Sequence, residues 1–115
     1  MPNDIQKQAL LDAATQIRLA EQLLIQASRA TSDPGTLTQI SIEINQLDSF
    51  LSQLLHAQAI ADDADFNKAT TALKQQASML QVDEDHIKKI TAAVGTGAQI
   101  VGYIAQAIVI IAKYL

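Results

Sequence analysis

The chain has 115 residues, with eight basic and twelve acidic side chains, a net charge of −4 and no cysteine. That length fits one domain with a real core, and the missing thiols exclude thiolate metal sites, sulfur nucleophiles and disulfides. An acidic balance with 3% aromatic content argues against phosphate-binding and base-stacking surfaces, so nucleic acid is not an expected partner.

Ala, Leu, Gln and Ile dominate, whereas glycine occurs four times and proline twice, which is helix-forming usage with little turn chemistry for a sheet. The first residues are polar and lack the apolar core of an export signal, so the expected location is cytoplasmic. The first helix is predicted over about residues 3–30. Leu10, Ala13, Ile17, Ala20, Leu24 and Ala27 alternate spacings of three and four and so share one face. Asp33-Pro34-Gly35 ends it in a turn.

Thr36 followed by Gln39 has the form of a capping box, and a second helix is predicted over 37–60. Its core stripe is Leu37, Ile40, Ile44, Leu47, Leu51 and Leu54. Asp62-Asp63-Ala64-Asp65 then signals a new helix start, and a short third helix is predicted over 64–80, with Phe66, Ala69, Leu73, Ala77 and Leu80 inward. Asp83-Glu84-Asp85 repeats the acidic signal, so a fourth helix is predicted over 84–114.

That last helix is the unusual one. The interval between Lys89 and Lys113 holds 23 uncharged residues, enough as helix to cross about 30 Å of hydrocarbon. Yet Thr96, Gln99, Tyr103, Gln106 and Lys113 form a polar stripe. Ile87, Ile90, Val94, Gly97, Val101, Ile104, Ile108, Ile111 and Leu115 form an apolar one. Ala93 with Gly97, and Ala98 with Gly102, are small-xxx-small pairs that let another helix approach closely. The fold expected is an all-α antiparallel four-helix bundle with short loops, one domain over 1–115, and a long hydrophobic C-terminal helix as its most buried element. A third helix shorter than the fourth would leave part of the fourth without an intrachain partner, which favours an oligomer.

Chemistry is scarce. Asp63-x-Asp65-x-Asn67 copies the start of a calcium loop, but Lys68 and Lys74 stand where a glycine and a glutamate are needed. The carboxylates and histidine of Asp83-Glu84-Asp85-His86 point about 100° apart from one residue to the next, so capping is the better account of them. His56 falls on a polar face, and no nucleophile, base and orienting acid share one. Gly95-Thr96-Gly97 lacks the strand and Gly-Lys-Ser/Thr of a phosphate cradle. No cofactor, metal or catalytic residue is expected.

The function expected is that of a non-enzymatic interaction protein that self-associates or binds a helical partner through the C-terminal helix. The interface candidates are Ala93, Gly97, Ala98, Val101, Gly102, Ile104, Ile108 and Ile111. The alternative is a conditionally membrane-active, membrane-associated protein whose C-terminal helix inserts into a bilayer.

Overall fold

A computed structural model describes residues 4–91 and 96–115. It contains four helices, α1 (Asp4–Arg29), α2 (Pro34–Ala59), α3 (Asp63–Ile90) and α4 (Gly97–Tyr114), and no strand among the described residues. Short connections make successive helices antiparallel. α1 packs against α2 and α4, and α3 packs against the same two, which closes a four-helix bundle about 49 × 19 × 19 Å.

Each helix contributes large side chains one heptad apart: Leu10, Ile17 and Leu24; Ile40, Leu47 and Leu54; Phe66, Leu73, Leu80 and Ile87; Ile104 and Ile111. All are at most 2% exposed. A seven-residue step nearly closes two helical turns, so these rows stay aimed at one axis. α1 alternates them with Ala13, Ala20 and Ala27, so large and small groups alternate on its inner face.

The helix starts come from local polar chemistry. Asp33 has extended backbone and its carboxylate accepts from the Thr36 amide at 2.9 Å, with Pro34 opening α2. The cap is therefore Asp33 and not Thr36: Pro34 has no amide to satisfy and its ring presets helical φ, which moves the start upstream. Asp62 caps α3 in the same way through the Asp65 amide at 2.9 Å. Asp63 and Asp65 occupy the first turn of α3, at the positive end of the helix.

Two sequence expectations are corrected. The third helix does not stop at residue 80 and the fourth does not begin at 84: α3 runs to Ile90 and α4 begins at Gly97. Asp83-Glu84-Asp85 lies inside α3, because no proline or glycine interrupts residues 63–90 and the row Phe66, Leu73, Leu80, Ile87 continues through it. The argument for an oligomer from a short third helix falls with that boundary, since α3 has 28 residues and α4 has 18.

Nor is the last helix the most buried. α4 buries Ile100, Ile104, Ala107 and Ile111, against eight buried residues on α1. Its core face is rotated from the expected one, which took its phase from Ile87 and Ile90, residues that belong to α3. Near the start of α1, Lys7 Nζ lies 5.8 Å from the ring centre of the fully buried Phe66 on α3. The lysine stem lies along apolar surface and its cation faces the ring.

Candidate functional site

Two places depart from an ordinary bundle surface. One is the outward face of α4. At 100° per residue, Ala98, Gly102, Ala105, Val109 and Ala112 form a 4-3-4-3 stripe on the side opposite Ile100, Ile104, Ala107 and Ile111. Ala98 and Ala112 are exposed, Val109 is 61% exposed, and a Cβ on Gly102 would meet nothing within 4 Å. Gly97 differs, since a Cβ there would run into the Thr91 side chain. Thr91 is itself buried at the end of α3, with its hydroxyl donating to the Ile87 carbonyl. Gly97 thus lets the start of α4 sit against the end of α3, while Gly102 has no neighbour among the described residues that requires it.

The structure sorts the eight interface candidates. Ile104 and Ile111 are core residues of this chain, and Gly97 faces Thr91. Val101 and Ile108 are half-buried flanks packed on the core, Ala98 and Gly102 face outward, and Ala93 lies outside the described residues. Tyr103 packs half-buried against the core, and Tyr114 is exposed beside Lys113, whose Nζ lies 5.3 Å from its ring centre. By length and composition α4 is a helix able to cross a membrane, with 22% of it buried.

The second place is a polar centre between α2 and α3. Glu43 follows Ile40 by three residues and precedes Leu47 by four; Asp83 stands in the same relation to Leu80 and Ile87. Each carboxyl group therefore occupies a core position and is buried, 4% and 7% exposed. His86, one turn after Asp83, sets Nδ1 3.2 Å from Glu43 Oε1, with a side chain about half exposed. Gln46, one turn along α2, is oriented by two acceptors: its amide nitrogen donates to Glu43 Oε2 at 3.3 Å and to Asp83 Oδ1.

Burial pushes the Glu43 carboxyl up to about 7, with the Asp83 charge and its hydrogen bond adding to the rise and His86 opposing it. Asp83 is also raised by burial, while its hydrogen bond from Glu43 and the His86 charge pull the other way. Both carboxyl groups are thus pushed toward their neutral forms by the same burial, and the two titrate as a unit. An open groove of about 350 Å³, lined by Gln39, Ile42, Glu43, Gln46, His86, Lys89 and Ile90, reaches this centre.

Sequence reasoning missed the centre. It weighed Asp83 to His86 as consecutive residues, whereas Asp83 and His86 are three apart and face the same way, and Glu43 joins them from another helix. The available signal was a carboxylate on each of two otherwise apolar stripes. The other acidic motif, Asp63-x-Asp65-x-Asn67, forms the first turn of α3, and His56 is exposed. Comparison with known protein families, curated proteins and solved structures found no match to this chain.

Proposed function

We propose that this is a non-enzymatic helical interaction protein that docks a second helix on the outward stripe of α4, the first occupant being a second copy of the chain. The observation that carries this reading is Gly102. Mid-helix glycine costs about 1 kcal/mol against alanine, and none of the described residues needs the space it leaves. A helix laid along Ala98, Gly102, Ala105, Val109 and Ala112 would use that space, because small residues let backbones approach closely. Pairing through a two-fold axis brings the same stripe to itself, so one face suffices for a dimer. A cytoplasmic location accompanies this reading.

The test is absolute mass by light scattering after size exclusion, across a concentration series, for the natural chain and for Gly102→Val. The expected result is a dimer that dissociates on dilution and a Gly102→Val chain that is monomeric at every concentration with its helix content intact. A natural chain that is monomeric throughout would overturn self-association.

A second reading, insertion of α4 into a bilayer, is supported by the length and apolar composition of that helix. It predicts that the intact chain floats with phosphatidylcholine/phosphatidylglycerol liposomes. Absence from the floated fraction at neutral and acidic pH would sink it.

A further inference from the structure

Three features of the α2–α3 centre bear on what it holds. Glu43 Oε1 and His86 Nδ1 are 3.2 Å apart, and with an Asp83 carboxylate oxygen they make three donors all within 4.8 Å of one another. Donors bound at about 2.0–2.1 Å to one tetrahedral ion stand about 3.3 Å from each other, so the Glu43–His86 edge already has the spacing of adjacent ligands. Two carboxyl groups are also buried face to face, and among the described residues His86 is the one basic side chain within ion-pair distance of Glu43. Buried carboxylates require a compensating positive charge, and a cation held by both would supply it. Finally, the centre is open on one side: His86 is half exposed, and the groove gives a hydrated ion an entry path with room for water at the remaining coordination positions.

We infer that Glu43, Asp83 and His86 are the ligands of a divalent transition-metal ion, Zn²⁺ or one of similar size and softness, that ties α2 to α3. One imidazole nitrogen with two carboxylate oxygens is a donor set that suits Zn²⁺ better than Mg²⁺ or Ca²⁺, which take oxygen donors. On binding, any proton carried by the carboxyl groups leaves to solvent, both coordinate as carboxylates, and His86 binds through Nδ1 as the neutral tautomer with its hydrogen on Nε2. Gln46, donating to Glu43 and Asp83, orients them from outside the ligand set. Lys89, on the groove wall, opposes the incoming charge and so lowers affinity without altering the choice of ion. None of these residues lies on α4, so the site stands or falls separately from the docking stripe.

The experiment is calorimetric titration of the full chain, stripped with a chelator and then dialysed free of it, with ZnCl₂, and with MgCl₂ in parallel. Melting temperatures are read in each solution. The expected result is one Zn²⁺ per chain, a melting temperature that rises with Zn²⁺ concentration, and no comparable effect of Mg²⁺. His86→Ala, at a half-exposed position, should leave the metal-free melting temperature nearly unchanged and weaken Zn²⁺ binding at least tenfold. Glu43→Gln, which keeps the shape of the protonated carboxyl group, should remove binding, and His56→Ala should leave it intact. The inference is overturned by no Zn²⁺ binding, by binding that survives His86→Ala, by binding that His56→Ala removes, or by equal affinity for Mg²⁺.

Discussion

The buried residues of α1 and α4 are alanine, leucine and isoleucine alone, whereas those of α2 and α3 include Glu43, Thr70 and Asp83. Both pairs run antiparallel in the same bundle, with rows of the same heptad spacing. The apolar rows of α1 and α4 bury hydrocarbon, a contribution that does not itself depend on protonation. The polar seam carries an ionisable pair whose burial costs free energy once it is charged, and that cost makes it responsive to protons and cations. A bundle can therefore place its response to cations in one seam while apolar rows elsewhere hold the chain together.

Truncating the apolar rows should have the largest effect. Ile17→Ala, at a fully buried position on α1, should cost about 2–5 kcal/mol, read as a lower denaturation midpoint with an unchanged slope. Gly97→Ala should come next, at about 1–3 kcal/mol, because the new methyl meets a Thr91 side chain already tied by its hydroxyl to the Ile87 carbonyl. Chemical denaturation followed by circular dichroism measures both.

The polar seam should respond to acidity instead. Glu43 is raised from its usual 4.5 to about 7, so between those values the folded chain holds a proton that the unfolded chain has released. Stability should therefore fall as pH rises from about 4.5 to about 7. Glu21 on α1, raised to about 7 by burial and by Asp48 against the opposing Arg18, adds a slope of the same sign. Glu43→Gln should remove the part belonging to the α2–α3 seam and stabilise the metal-free protein at pH 8 by about 1–3 kcal/mol. A melting-temperature profile against pH that is unchanged in this variant would place the proton elsewhere.

The smallest expected effect is the most discriminating. Gly102→Ala should stabilise the isolated chain by about 0.5–1 kcal/mol, since none of the described residues obstructs the methyl and the helix prefers alanine. The same change should weaken a dimer built on that face, so folding and assembly move in opposite directions.

Much of the fold was legible in the sequence because α1 and α2 carry uninterrupted apolar stripes and end at a Pro-Gly turn or an acidic cap. The end of α3 was not, because acidic residues that usually open a helix here lie within one. Asp83 is buried on the core stripe instead of capping an amide, and only the continuing step from Leu80 to Ile87 distinguished the two cases. The polar centre needed tertiary information, since Glu43 and His86 are 43 residues apart. What the sequence did offer was a charged residue placed where leucine would be ordinary. The outward stripe of α4 was visible only in part, through Ala98 and Gly102, because its phase depends on where the helix begins.

Both tyrosines, Tyr103 and Tyr114, lie on α4, and the chain has no tryptophan. The ultraviolet emission of the unlabelled protein is consequently a local optical signal from one helix. A second chain or a lipid surface covering α4 should change its intensity or anisotropy, while an ion held by Glu43, Asp83 and His86 should leave it nearly still. The molecule thus carries its own means of telling the two events apart.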